Sequence, residues 1–246
     1  MTAASTEEMK AAMRVHMRDA VARVRPFARA QRAEALESTV LRSPALVGAR
    51  IVLAYRAMPD EIEVDGIVRT LAGRGVRVAF PRVSDHGTLQ LLEIAARDPL
   101  DPALWTLDRY GIAAPNSGLL CARSGLVRAL HPREIDAVIV PGRAFDRRGA
   151  RLGRGKGFYD ALLGRLRPDA RRATIGVCLR EQLVDCVPEA AHDRKVSFIA
   201  AERRLLRAAP MTVAMTVAVP VAVPVSMPVA MPVAMPVMGT SAVTNT

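Results

Sequence analysis

Arg151, Leu152, Gly153, Arg154, Gly155, Lys156, Gly157, Phe158, Tyr159 and Asp160 follow one another without interruption. Glycines at alternate positions let the backbone turn and come close to a ligand, while Arg151, Arg154 and Lys156 bring cations to the same spot. This combination grips phosphate. Asp160 adds a hard oxygen ligand of the type that Mg²⁺ accepts when phosphates also hold it. Alone, a G-x-G-x-G run reads as a solvated turn. The preceding Pro141-Gly142, an apolar strand and the Phe-Tyr-Asp continuation favour a phosphate site. Among 35 lysines and arginines only Lys10, Lys156 and Lys195 are lysines. A lysine offers a compact, rotatable charge that a phosphoryl group in transfer can use, and Lys10 and Lys156 fall where phosphate contacts are expected. A coding bias toward arginine accounts for the distribution equally well.

Such a loop needs a rigid support. Residues 135–140 are apolar and β-branched, so they are predicted to form a buried strand whose end the glycine loop leaves. Open α/β sheets bind ligands at that end. Ser5 and Glu8 form a capping box ahead of Met9, Met13, Met17 and Val21 at helical spacing, which predicts a helix over 6–25, stopped by Pro26. Helices are also predicted over 28–42, 62–74 and 158–166, and strands over 51–55, 76–80, 88–94, 173–179 and, last, 195–200. Residues 95–132 carry little pattern. The alternation gives an α/β fold: a single layered domain over 1–207 with a largely parallel sheet flanked by helices.

Composition narrows the function. Residues 208–246 carry no charge, and Pro220, Pro224, Pro228, Pro232 and Pro236 recur every fourth position. Such spacing forbids a regular helix, so this segment is expected to be a disordered tail, not a membrane span. The net charge of +11 belongs to 1–207, where arginines are scattered and aromatics, at 4% of the chain, are too few for a base-stacking platform. A surface attracting small polyanions is expected, with no nucleic-acid partner. Cys121, Cys178 and Cys186 lack disulfide or zinc spacing. Glu7 and Glu8 stand ahead of any apolar stretch, which is no secretory signal, and a cytoplasmic monomer is expected.

The run from Val140 through Asp160, Val-Pro-Gly-Arg-Ala-Phe-Asp-Arg-Arg-Gly-Ala-Arg-Leu-Gly-Arg-Gly-Lys-Gly-Phe-Tyr-Asp, closely resembles the signature of the 5-formyltetrahydrofolate cyclo-ligase, or methenyltetrahydrofolate synthetase, family. Lys10 with Arg14, Met58-Pro59-Asp60-Glu61-Ile62, Tyr110-Gly111-Ile112 with Pro115, Glu181-Gln182-Leu183, Pro188 and His192-Asp193 are similar to further family segments. The resemblance spans roughly Lys10 to Ala200 and implies a CoA-transferase-like α/β fold. It also implies ATP-dependent ring closure of 5-formyltetrahydrofolate, polyglutamylated forms included, to 5,10-methenyltetrahydrofolate through a phosphorylated formyl intermediate. By the same resemblance, ATP would contact Lys10, Arg14 and the run Arg151 to Tyr159, with Lys156 and Arg154 catalytic. Folate would contact Arg14, Arg56, Glu61, Arg154 and Phe158. Mg²⁺ would be held by Asp160 and Asp193. Three positions depart from the family pattern: Ala114 replaces a glutamate, Phe158 a common tyrosine, and Arg56 an apolar residue. A basic nucleotide- or RNA-binding homologue without catalysis, and another phosphoryl-transfer enzyme on this scaffold, are the alternatives.

Overall fold

The computed structural model describes residues 5–120 and 125–209. Helix α1 is Thr6–Ala22, α2 Pro26–Leu41, α3 Asp65–Gly73, α4 Phe158–Arg165 and α5 Pro168–Arg172. The strands are β1 Ile51–Leu53, β2 Arg77–Val83, β3 Leu89–Ile94, β4 Trp105–Leu107, β5 Ala113–Pro115, β6 Val127–Leu130, β7 Ala137–Val140, β8 Ala144–Asp146, β9 Arg151–Leu152, β10 Thr174–Cys178, β11 Leu183–Val184, β12 Phe198–Ala201 and β13 Arg204–Arg207.

The capping box forms as expected, with Glu8 N–H donating to Ser5 Oγ and Ser5 N–H to Glu8 Oε2 at 2.7 Å. Two terminal donors are thereby satisfied. Pro26 opens α2 instead of merely closing α1, because its missing N–H falls in the first turn, where no intrahelical partner exists. Helix α3 starts at Asp65, three residues later than predicted. Residues 58–61 are held in a turn instead: Glu61 N–H donates to Met58 O, and Glu61 Oε2 accepts from Met58 N.

The central sheet runs β13-β12-β10-β7-β1-β2-β3-β6. Pairings among β12, β10, β7, β1 and β2 are parallel, while β13, β3 and β6 add antiparallel edges. Side chains alternate between two cores. Val52, Ile139, Ile175 and Val177 pack with Leu36 and Val40 of α2 and Ile67, Val68 and Leu71 of α3. Leu53, Val138, Val140 and Ile199 pack on the other face with Leu162 and Leu163 of α4 and Ala170 of α5. A parallel sheet covered on both faces explains the continuous apolar runs in these strands.

Several boundaries differ from the sequence reading. Strand β6, inside the weakly patterned 95–132, joins the central sheet, and β4 pairs with β5 as a hairpin. Strand β13 follows the strand expected to be last. The glycine loop does not leave β7 directly, because β8 and β9 intervene as an antiparallel pair. Ala208 and Ala209 still donate to Ser197 O and Arg147 O, so the packed chain extends past residue 207. The remainder of the expected tail, and Cys121, lie outside the described residues. Among those described, no helix is long and apolar enough to cross a membrane.

Phe145 of β8, fully buried, locks the β8–β9 pair onto the sheet. Gly142 and Gly176 make room for its ring: a Cβ on Gly142 would lie 2.6 Å from Phe145 Cζ, and one on Gly176 would overlap Phe145 Cε1. Overpacking a core with one methyl group costs about 1–3 kcal/mol, which is the loss expected for Gly176→Ala in urea unfolding. An unchanged midpoint would mean that the ring is not clamped.

Candidate active site

The sheet reverses its winding between β1 and β7, and the crevice outside the carboxyl ends of such strands is where this architecture binds ligands. A cleft of about 360 Å³ opens there. Beyond β1 its wall includes Tyr55, Arg56, Met58 and Glu61; beyond β7, Pro141, Gly142 and Arg143. Lys10 and Arg14 reach it from α1, and Asp193 and His192 from the C-terminal segment. Every residue from Arg151 to Asp160 lines it as well. The structure thus brings the whole sequence-derived set, Lys10, Arg14, Arg56, Glu61, 151–160 and Asp193, into one cavity.

The loop's shape follows from its glycines. Gly155 and Gly157 have φ of 91° and 69°, left-handed values that side-chain-bearing residues rarely adopt. Gly157 caps α4 without a side-chain bond, so the first N–H groups of that helix remain available at the cleft. Arg14 Nε donates to Gly153 O at 3.1 Å, tying α1 to the loop.

Most cations of the cleft have carboxylate partners. Lys10, with a side chain only 5% exposed, donates to Asp193 Oδ2 at 2.6 Å. Its side chain is therefore not on the solvated helix face that a Lys-x-x-x-Arg spacing usually denotes. Arg151 Nη2 reaches Asp160 Oδ2 at 3.0 Å, and Arg56 Nη1 reaches Asp65 Oδ2 at 2.8 Å while stacking over Trp105. Arg154 is bound by two carboxylates, Glu61 through its Nε at 3.1 Å and Asp60 through Nη2, and Asp60 also pairs with Arg143 at 2.8 Å. Burial presses the Arg143 pKa down, with Asp60 opposing. Lys156 is different. It is exposed, rests 5.9 Å over the Tyr110 ring, and has no carboxylate partner among the described residues. Lys195 lies off the cleft, paired with Glu189 at 3.0 Å.

Arg151 Nε and Tyr159 Oη of the cleft wall are buried without an acceptor among the described residues. Burial pushes the Tyr159 phenol well up, and nearby Glu61 adds to this, so it stays protonated and able to donate. The carboxylates retain acceptor capacity too. Asp160 accepts from Arg151 and from Arg194 N, and Asp193 Oδ2 from Lys10 and Ala190 N, out of roughly four lone-pair sites each. Such a donor set fits a cation that takes one or two carboxylates and completes its shell with phosphate oxygens. Of the departing positions, Arg56 and Phe158 face the cleft, whereas buried Ala114 is not on its wall.

Sequence reasoning missed Tyr110, Arg143 and Asp60. Tyr110 stacks near Phe158 at 6.3 Å and shields Lys156. It adjoins the Gly111-Ile112 segment, the signal that would have found it. Arg143 and Asp60 both lie inside segments that carry the family resemblance, but their pairing crosses the cleft.

Burial alone would raise the Asp193 carboxyl, yet the Ala190 N–H and the Lys10 ammonium outweigh it and hold the group below its ordinary range. A depressed carboxyl stabilises the fold above its unfolded pKa, about 3.9, and that contribution disappears as pH falls through the lower folded value. Asp193→Asn is therefore expected to cost roughly 1.5–3 kcal/mol in urea unfolding at pH 7, with the difference from wild type shrinking below about pH 4. A difference independent of pH would remove the ionic clamp.

Residues 6–202 match the 5-formyltetrahydrofolate cyclo-ligase family. A protein of Mus musculus named 5-formyltetrahydrofolate cyclo-ligase is 24% identical over 207 residues, 82% of this chain and 98% of its own. One of the same name from Mycolicibacterium smegmatis is 32% identical over 159 residues, 64% of this chain and 76% of its own. The solved structure of Aquifex aeolicus 5,10-methenyltetrahydrofolate synthetase shares the fold, with a TM-score of 0.65 at 21% identity, covering 87% of this chain and 98% of that one. The match across nearly the whole folded region shows that this chain belongs to the 5-formyltetrahydrofolate cyclo-ligase family.

Proposed function

We propose that this chain is an ATP-dependent enzyme that closes 5-formyltetrahydrofolate to 5,10-methenyltetrahydrofolate, releasing ADP and phosphate. The observation that carries the reading is Lys156, a cation without a carboxylate partner among the described residues, facing the cleft that also gathers Lys10, Arg14 and Glu61. An unbalanced charge on such a wall fits a phosphoryl group. In the proposed reaction the formyl oxygen attacks the γ-phosphorus and ADP leaves, giving an iminium phosphate at N5. The N10 nitrogen then bonds to the activated carbon, N10 loses its proton, and the C–O bond breaks to release phosphate. An amide oxygen is a poor leaving group, and esterification makes it a good one.

The chain's tasks are positioning and charge stabilisation. Gly153, Gly155 and Gly157 bring main-chain N–H groups to the triphosphate, with Arg14 bracing the loop. Lys156 balances the transferring group and Arg154, fixed by Asp60 and Glu61, orients its approach. Tyr159 Oη and Arg151 Nε, already desolvated, donate to substrate oxygens. Glu61 keeps lone pairs for the pterin N–H groups, and Arg56 meets the carboxylates of the glutamate tail. Asp160 and Asp193 would hold Mg²⁺, which supplies charge neutralisation on the phosphates when bound. A cytoplasmic monomer belongs to the same reading.

Mixing purified protein, 5-formyltetrahydrofolate and MgATP tests it through the absorbance of the methenyl product. Wild type should produce the chromophore, while Lys156→Ala loses about 10²–10³ in kcat, the range for removing one preorganised stabilising donor. Equal rates would take Lys156 out of the mechanism, and no product from wild type would refute the assignment. A chain ending at Ala209 is expected to keep its activity and its unfolding midpoint; an inactive, folded truncation would give the excluded segment a role in catalysis.

A further inference from the structure

A second concavity, of about 690 Å³, lies at the opposite end of the sheet. Its walls come from the turn that leads into β7 and from the junction of α4 and α5. They carry His131, Arg133, Arg165, Arg167 and Arg171, and among the described residues no aspartate or glutamate lines it. The contrast with the active-site cleft is informative, since most cations there have carboxylate partners. Here Arg133, Arg165 and Arg171 are exposed and make no ion pair among the described residues. Arg167 has one, donating through Nη2 to Asp136 Oδ1 at 2.7 Å. Asp136 cannot balance the rest, because its other oxygen is taken by the N–H groups of Arg50 and Ile51.

Two details point to an absent acceptor. Arg167 Nε is buried and without a hydrogen-bond partner among the described residues, a condition rare for a buried donor, although the side chain as a whole is 42% exposed. His131 Nδ1 accepts the Arg133 N–H at 3.2 Å, so a neutral imidazole carries its proton on Nε2 and is a donor there too. Like charges gathered without counter-charge repel, and an anion of matching valence relieves both defects. Guanidinium forks pair in a bidentate manner with phosphate oxygens.

We infer that this groove, formed by Arg133, Arg165, Arg167, Arg171 and His131, binds an oligophosphate anion separately from the active-site cleft. Among the described residues no Phe, Tyr or Trp lines it, so a nucleotide's base has no stacking platform there. Inorganic tripolyphosphate and a nucleoside triphosphate are therefore expected to bind alike, through the phosphates alone. Helix α4 separates the two sites: Phe158 lines the cleft and Arg165 the groove, seven helical steps or about 10 Å apart along the axis.

The test is calorimetric titration of the full chain with tripolyphosphate, and separately with ATP, at fixed moderate salt. The proteins are wild type, Lys156→Ala and Arg133→Ala/Arg171→Ala. The groove is expected to yield a binding event that survives Lys156→Ala and weakens about tenfold or more in the double variant. The double variant should keep its turnover and lose nothing in unfolding midpoint, since neither side chain holds a partner among the described residues. Tripolyphosphate binding equal in the double variant and wild type, or abolished by Lys156→Ala alone, overturns the proposal. So does a single-stranded RNA oligonucleotide that outcompetes tripolyphosphate for the groove at the same salt, which would make the site a polymer track.

Discussion

Charge balance is the constraint on which this architecture rests. A cleft able to hold a triphosphate must concentrate cations, and cations crowded together in the ligand-free protein repel one another. The fold resolves the conflict by pairing. Lys10 leans on Asp193, Arg151 on Asp160, Arg56 on Asp65, and Arg154 and Arg143 share Asp60. Pairing also fixes each guanidinium in place, so little reorganisation is required when substrate arrives. Lys156 stands outside this arrangement, resting on the face of Tyr110. Its ammonium can leave that shallow electrostatic attraction for a phosphate more readily than a carboxylate-bound cation can.

The pairing works because the supporting elements are stiff. Phe145, seated against Gly142 and Gly176, ties β8 to the sheet core, and β9 carries Arg151 at the pairing position next to it. Asp146, fully buried, accepts from the N–H groups of Arg148, Ala150 and Val187 and so rigidifies the turn leading into β9. Gln182 donates to the carbonyls of Gly142 and Arg143, holding the other side of the wall. Neighbouring segments of the family signature thus divide the labour: 144–150 is scaffold, while 141–143 and 151–160 face the cleft.

That division explains what the sequence made legible. Residues 151–160 announce themselves because their chemistry is contiguous, and the buried strands because both faces of a parallel sheet are apolar. Edge strands were harder. In β6 and β13 arginines at 128, 204 and 207 interrupt the apolar pattern, and such short segments show no usable period. Partner choice was hidden for a different reason. Nothing local in Asp60 indicates that it will bridge Arg143 and Arg154, because those contacts exist only once topology has placed β1 beside β7. Likewise Asp193, which has Arg194 beside it in sequence, is claimed by a lysine near the start of the chain.

The position of β1 in the middle of the sheet has a consequence for how the protein comes into being. Val52 and Leu53 pair on one side with β2, close in sequence, and on the other with Ala137 and Val138, about 85 residues away. Emerging from a ribosome, the N-terminal half can form its local pairings early, but one flank of β1 stays bare until β7 is made. Each half also supplies only one bank of the cleft, with His192 and Asp193 joining its wall late, so the cavity has no full outline in a nascent chain that stops before them.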